Sequence, residues 1–152
     1  MTELFLTNSE SGVKAVFTPV DATHIKFYVC GPTVYNLAHI GNARPVVVFD
    51  TLFRVLQSLY PKVTYARNIT DIEDKIIVAA KERGTDISTV TEEFTEKFRE
   101  DMCALNALPP TLEPLATENV GAMLDLARRL IDRGHAYEAE GHVLFDVKSM
   151  PD

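Results

Sequence analysis

The sequence predicts an α/β protein built around a strand, a helix and a second strand in the first half of the chain. Residues 25–30 (IKFYVC) are an apolar run that stops at Gly31-Pro32, as a buried strand does. Residues 42–60 repeat apolar side chains at helical spacing, and residues 63–68 (VTYARN) alternate like a strand. This order is that of a βαβ unit, the building block of a parallel doubly wound sheet.

The central helix is the element whose type needs most justification. The run Val46–Phe49 is compatible with a strand by composition, but the apolar recurrence through residues 52–59 favours a helix. Pro45 is tolerated only near the first turn of a helix, which places the helix start at residues 41–43.

The other elements follow from caps, turns and periodicity. Thr89 and Glu92 have the spacing of a capping box inside a long predicted helix. A strand is expected at 14–17, and helices are expected at 74–83, 87–106 and 117–133. The first of these helices is closed by Gly84 and the last ends at Gly134. Strands at 136–139 and 142–147 are expected to form a hairpin around Glu140-Gly141.

The pattern changes near residue 115, where a helix and hairpin replace the βαβ order. We therefore expect two parts, residues 1–115 and residues 116–152. Two parallel strands alone leave exposed sheet edges, so further strands are expected from a longer protein of which this chain is a truncated piece.

Composition restricts the class of protein. The 152 residues are 46% hydrophobic and 24% charged, which is typical of a globular domain. The sequence has neither a signal peptide nor an apolar run of about 20 residues, so a cytoplasmic protein without membrane contact is expected.

Cys30 and Cys103 are predicted to be reduced, with Cys103 packed inside its helix. The net charge of −7 argues against a stand-alone nucleic-acid clamp, but not against a nucleic-acid substrate bound by another part.

The turn after the first strand of the βαβ unit has the properties of a phosphate site. Ligands of open parallel sheets bind at the carboxyl ends of strands, and a helix N-terminus offers free N–H groups. Gly41 lets a ligand approach the backbone, while His39 and Asn42 supply side-chain donors. The alternative is that His39 simply caps the helix, and that Cys30 is a small buried apolar residue.

The segments YVCGPTVYNLAHIGNARPVVVFD and VTYARNITDIEDKII resemble the N-terminal catalytic half of bacterial cysteinyl-tRNA synthetases. Shorter matches, including ALN at 104–106 and GHAY at 134–137, continue in order through the chain. The resemblance implies the N-terminal half of a Rossmann-type (HUP-like) parallel-sheet nucleotide-binding core in residues 1–115, followed by the start of a connective insertion in residues 116–152.

The same resemblance implies an activity and its partners. Such an enzyme uses ATP with Mg²⁺ to activate L-cysteine as cysteinyl-adenylate, then transfers cysteine to tRNA(Cys). The full-length enzyme is expected to be monomeric, and this chain alone is expected to be inactive. Residues 32–42 correspond to the family's HIGH region, in which this chain has Asn42 in place of the last histidine; an amide donates a hydrogen bond but cannot become cationic.

Site roles also come from the resemblance. Cys30 is implied as one ligand of a Zn²⁺ ion, one per full-length subunit, that binds the substrate thiol, with the other ligands outside this chain. The resemblance assigns catalysis to His39 and Asn42, ATP binding to Pro32, Thr33, His39, Gly41 and Asn42, and cysteine binding to Gly31, Thr33 and Thr70.

Other polar groups are interpreted as structural. Asp71, Glu73 and Asp74 are more consistent with a helix N-terminus than with a metal site, and Thr70 could simply cap that turn. The remaining histidines, His24, His135 and His142, show no ligand spacing with Cys30.

Two alternatives to a tRNA ligase remain at this point. One is the related ligase of thiol biosynthesis, which joins cysteine to glucosamine-inositol. The other is a nucleotide-binding module without catalysis.

Overall fold

The computed structural model describes residues 3–150, which contain both helices and strands. Short 3₁₀ turns occupy Thr117–Asn119 and Val147–Ser149. The elements are β1 (Phe5–Thr7), β2 (Lys14–Val16), β3 (Ile25–Val29), α1 (Ile40–Leu59), β4 (Val63–Arg67), α2 (Asp74–Arg83), α3 (Ile87–Ala104), α4 (Val120–Asp132), β5 (Ala136–Ala139) and β6 (His142–Phe145).

Strands β3 and β4 pair in parallel, and α1 connects them. Ile25 lies opposite Val63 and Val29 lies opposite Arg67, so the strands match along their whole length. The predicted βαβ unit is therefore confirmed, and the carboxyl ends of both strands lie at one edge, as a doubly wound sheet requires.

A further extended segment runs along the other side of β4. Ala66 forms a parallel bridge with Leu112, and Ile69 forms one with Leu115. The amide of Arg67 donates to the Leu112 carbonyl at 3.0 Å. This segment was not predicted as a strand, because its prolines hide the alternation that a strand shows in sequence. Strand β4 is thus bonded on both sides.

The core lies between the strands and helices α1 and α3. The rings of Phe27 and Tyr65 stack with centroids 4.6 Å apart, and Phe53 of α1 packs on Tyr65. A second cluster joins the start of α1 to α3 through Val34, Ala43, Val46, Ile69, Phe98 and Met102, all buried. These contacts fix the start of α1 against the strand ends.

Helix α1 begins at Ile40, slightly earlier than the predicted residues 41–43. The difference arises because His39 is the N-cap, with an extended backbone and a side chain that accepts from the Gly41 amide. Pro45 therefore lies beyond the first turn, and it has no N–H to donate to the Gly41 carbonyl.

Helix α2 ends as predicted, with Gly84 in the left-handed region at φ 64°. The predicted capping box of α3 is wrong. The helix starts after Asp86, so Thr89 and Glu92 lie inside it. The prediction that Cys103 is packed is also wrong: Met102 is the buried residue, and the neighbouring Cys103 points to solvent.

The last part of the chain follows the prediction closely. Helix α4 is preceded by the 3₁₀ turn and followed by Gly134 at φ 75°. Strands β5 and β6 form an antiparallel hairpin whose turn residues Glu140 and Gly141 have φ values of 51° and 80°. Positive φ at both positions matches the hairpin turns that suit strand twist.

Strands β1 and β2 form a small antiparallel hairpin, in which Phe5 pairs with Val16. Only β2 was predicted, because three residues of β1 are too short to show periodicity. No helix in the described part of the chain is long and apolar enough to cross a membrane.

Candidate active site

The fold brings two polar segments together at the carboxyl edge of the strand pair. One runs from Cys30 through Asn42 between β3 and α1, and the other is residues 68–71 after β4. Thr33 and Thr70 lie opposite each other in a parallel bridge. The Thr70 amide donates to the Pro32 carbonyl at 2.9 Å. The structure therefore places the predicted cysteine-binding residues beside the predicted ATP-binding loop.

A bulge in the first segment separates β3 from this bridge. Three residues lie between Val29 and Thr33, whereas only two lie between their partners Arg67 and Thr70. The extra residue bends the chain next to Gly31, and bulges of this kind redirect neighbouring side chains. Glycine is required there, because an added Cβ would lie 1.5 Å from the backbone carbonyl oxygen of Asn68, the residue directly after β4.

Asn68 connects the two segments through its side-chain amide. Its Oδ1 accepts from the Gly31 amide at 2.8 Å and from the Tyr28 hydroxyl at 2.7 Å. Its Nδ2 donates to the Thr70 hydroxyl oxygen at 3.0 Å. Asn68 was not among the predicted site residues. The available signal was its position opposite Cys30, at the end of the neighbouring parallel strand.

His39 and Asn42 form a reciprocal capping box at the start of α1. The Gly41 amide donates to Nδ1 of His39 at 3.0 Å, and the His39 amide donates to Oδ1 of Asn42 at 3.1 Å. Backbone N–H groups only donate, so these two side-chain atoms must be acceptors. In the neutral ring the proton of His39 is then on Nε2, and Asn42 is left with its NH₂ as a donor.

The role of His39 as a helix cap is thus confirmed, and it does not compete with a ligand-binding role. Capping uses one ring nitrogen and leaves the other as a donor beside the helix N-terminus. Gly41 has a structural role besides the ligand approach that the sequence predicts. A Cβ at Gly41 would lie 2.7 Å from Cε1 of His39, so glycine is needed for the ring to fold over the backbone.

Small cavities lie on both sides of the loop. One, of about 80 Å³, extends from Pro32 and Asn42 toward Phe94 and Phe98 of α3. The other, also about 80 Å³, lies between Pro32, Asn42 and Arg67. Pro32 and Asn42 line both, so this loop forms the wall between two spaces that each hold only a few atoms.

Cys30 is exposed at the end of β3, next to Tyr28. Desolvation, together with the neighbouring Cys30, raises the pKa of the Tyr28 phenol, which keeps it protonated as a donor to Asn68. Within residues 3–150, no group of three or more histidine, cysteine, aspartate or glutamate side chains could hold a metal ion. Cys30 fits a single soft ligand, but the described residues do not complete a zinc site.

The acidic cluster after β4 is structural. Asp71 is buried and accepts hydrogen bonds from both the amide and the hydroxyl of Thr117. Asp74 lies in the first turn of α2, and Glu73 is its N-cap residue. Asp71 therefore joins the β4 end to the turn before α4, and the helix N-terminus favours the carboxylate of Asp74. The Glu73 side chain makes no cap hydrogen bond, and its Oε2 is buried without a partner among the described residues.

The three other histidines lie away from this edge. His24 bonds to the Thr64 hydroxyl at 2.8 Å, and His135 bonds to the Ser149 hydroxyl at 2.9 Å. His142 is exposed in β6. Two of these histidines therefore make hydrogen bonds within the fold, and the third lies at the surface.

Comparisons with known proteins give consistent results. A family model described as the tRNA synthetases class I (C) catalytic domain matches residues 16–152. The chain is similar to a cysteine--tRNA ligase of Saccharophagus degradans, with 60% identity over 147 residues and 97% of this chain. It is 57% identical to that of Rhodospirillum rubrum over the same share of its length. This chain spans 32% of the length of each of these relatives.

A solved structure has a similar fold. It is that of Agrobacterium radiobacter K84 agnB2 LeuRS in a ternary complex with tRNA and LeuAMS. The TM-score is 0.63 with 23% identity, over 78% of this chain and 16% of the other. At this identity the likeness concerns the fold, and it supports the α/β architecture.

Proposed function

We propose that this chain, which belongs to the family of class I (C) tRNA synthetase catalytic domains, is the ATP- and cysteine-binding part of a cysteine–tRNA ligase. The relatives' names support tRNA(Cys), rather than glucosamine-inositol, as the acceptor of cysteine. The sequence identity to these ligases extends over 97% of this chain, which also favours this enzyme over a module without catalysis. The observation that carries the proposal is the capping box at the start of α1, which leaves two donors at a helix N-terminus.

The proposed reaction begins with attack of a carboxylate oxygen of L-cysteine on the α-phosphorus of ATP. The new P–O bond forms as the bond to pyrophosphate breaks, which yields cysteinyl-adenylate. A ribose hydroxyl of tRNA(Cys) then takes the acyl group and AMP leaves. Negative charge builds up on the phosphate oxygens, and Nε2–H of His39 and the NH₂ of Asn42 are suited to stabilise it. Pro32, Thr33 and Gly41 are proposed to shape the ATP-binding loop around these donors.

Gly31, Thr33 and Thr70 are proposed to line the pocket for L-cysteine. Their support is the parallel bridge between Thr33 and Thr70 and the bulge at Gly31, which place them next to Cys30. Cys30 is proposed as one zinc ligand, and bound zinc would supply a soft partner for the substrate thiol. The described residues do not complete a metal site, and the other ligands are proposed to come from outside this chain. Mg²⁺ is proposed to arrive with ATP.

The test is cysteine-dependent ATP–pyrophosphate exchange by the protein expressed from its complete gene. His39→Asn is the informative variant, because asparagine can still accept from the Gly41 amide as an N-cap, while its NH₂ is on a shorter side chain and cannot take the position of Nε2–H. Removing a donor to a developing oxyanion typically costs about 10²–10³ in rate, and we expect a loss of that size with unchanged folding. His142→Ala, on exposed β6, is the control.

Retention of activity within twofold in His39→Asn contradicts the role of the capping box. Absence of cysteine-dependent exchange in the wild-type protein contradicts the proposed function itself. The same assay on residues 1–152 alone tests the expected inactivity of this chain.

The remaining sequence predictions stay as proposals. A boundary between residues 1–115 and 116–152 is testable by limited proteolysis. If the full-length enzyme is monomeric, light scattering should give the mass of a single subunit. A cytoplasmic location is proposed from the family and is testable by fractionation.

A further inference from the structure

We propose that Asn68 is a positioning residue that turns the hydroxyl hydrogen of Thr70 toward the amino-acid substrate. The inference rests on the proposed function, because it assigns Thr70 to the pocket for L-cysteine. It adds the direction of a hydrogen bond, and hence the kind of substrate atom that can accept the Thr70 hydroxyl hydrogen.

The direction of the Asn68 amide follows from its partners. The Gly31 amide can only donate, so the Asn68 atom that lies 2.8 Å from it is the oxygen. The Tyr28 hydroxyl approaches the same oxygen at 2.7 Å. A flipped amide would bring two N–H groups together at Gly31, so the orientation is fixed by the backbone.

The orientation of the Asn68 amide determines the role of the Thr70 hydroxyl oxygen. The Asn68 NH₂ lies 3.0 Å from the Thr70 hydroxyl oxygen, which must therefore accept. The Thr70 backbone is held by the Pro32 carbonyl and the Val34 amide. No acceptor for the Thr70 hydroxyl hydrogen is found among residues 3–150, so this hydrogen is left to donate to a ligand.

A hydroxyl hydrogen can form a hydrogen bond only with an acceptor atom. L-cysteine offers acceptors in its carboxylate and its sulfur, whereas its ammonium group only donates. The hydroxyl hydrogen of Thr70 can therefore bond only to the carboxylate or the sulfur of the amino acid. Cysteamine, which lacks the carboxylate, separates the two acceptors when it is used as a competitive inhibitor.

Asn68→Asp reverses this direction with almost no change in shape. One carboxylate oxygen still accepts from the Gly31 amide, while the other has no hydrogen and draws the Thr70 hydroxyl hydrogen toward itself. We expect kcat/KM for cysteine to fall about tenfold, the size of one net hydrogen bond, and KM for ATP to stay unchanged. Asn8→Asp is the matched control, because its oxygen accepts from the Glu10 amide in the remote β1–β2 turn.

The double variant with Thr70→Val distinguishes positioning from an effect of charge or general structure. If Asn68 acts through Thr70, Asn68→Asp causes no further loss once Thr70 is valine. Additive losses, or an unchanged kcat/KM in Asn68→Asp, overturn the proposal. Weaker cysteamine inhibition in Asn68→Asp assigns the acceptor to sulfur, and unchanged inhibition assigns it to the carboxylate.

A measurement without turnover keeps this result separate from the proposed function. In the isotope-labelled chain, we expect slow hydrogen exchange of the Asn68 side-chain NH₂, which is lost in Thr70→Val. Exchange that does not respond to Thr70→Val overturns the hydrogen bond on which the proposal depends. Absence of cysteine-dependent activity in the wild-type protein instead overturns the proposed function, and with it only the substrate part of this inference.

Discussion

Gly31→Ala tests the contact between the bulge and the end of β4. A Cβ built at Gly31 lies 1.5 Å from the carbonyl oxygen of Asn68, 2.7 Å from its carbonyl carbon and 3.3 Å from Cγ of Arg67. The closest atoms belong to the backbone, so a rotation of a flexible side chain cannot relieve the overlap. The two backbones must move apart.

The size of the effect follows from this movement. Cβ contacts shorter than 3.0 Å essentially do not occur, so the gap of 1.5 Å must about double. Overpacking of this kind costs about 1–3 kcal/mol. The Gly31–Asn68 hydrogen bond of 2.8 Å is stretched at the same time, which adds roughly 1 kcal/mol. The expected loss of about 2–4 kcal/mol corresponds to a fall in Tm of roughly 5–15 °C for a chain of this size.

Urea denaturation followed by circular dichroism measures the loss. Gly121→Ala is the control, because a Cβ there meets no atom within 4 Å and the position lies in α4. Alanine is favoured over glycine in helices, so the control should be neutral or stabilised by up to about 1 kcal/mol. If Gly31→Ala changes the free energy of unfolding by less than about 0.5 kcal/mol, within the range of ordinary surface substitutions, the close approach of Gly31 to the Asn68 carbonyl is refuted.

Three further predictions concern stability and exposure. Asp71→Ala removes the acceptor of both Thr117 hydrogen bonds, and it should lower the free energy of unfolding by about 2 kcal/mol in urea titrations. The hydrogen bond from Lys97 lowers the pKa of Glu93 below 4.5, so its stabilisation is present above that pH and lost as the pH falls through the lowered pKa. Glu93→Gln should therefore reduce the acid sensitivity of the urea midpoint; an unchanged pH profile would contradict this. The exposed Cys103 thiol should react with maleimide in the folded chain, and protection until unfolding would show that it is packed.

Local signals in the sequence were sufficient for the βαβ unit. The Gly31-Pro32 stop, the helical recurrence up to Leu59 and the alternation of 63–68 each reflect the burial of one face of an element. The hairpin turn at Glu140 and Gly141 was likewise readable, because few residues adopt positive φ. These features are decided by residues close together in the chain.

Features that depend on distant residues were missed. Asn68 binds Gly31 across a separation of 37 residues, and nothing in either segment alone reveals the bond. The Cys103 prediction failed because helical spacing identifies the buried stripe only to within one residue, and Met102 took that place. The residue types at the His39 cap were visible, but which ring nitrogen stays free depends on the geometry of the cap.

The segment that pairs with the outer side of β4 has a thermodynamic consequence for the ligand. Backbone amides of Arg67 and Ile69 are bonded to that segment, while β3 bonds the opposite side. The strand that leads into Asn68 and Thr70 is therefore already ordered before anything binds. Its conformational entropy is lost during folding, so little of the binding free energy of a substrate is needed to order these groups. Amide hydrogen exchange should accordingly be slowest along β4.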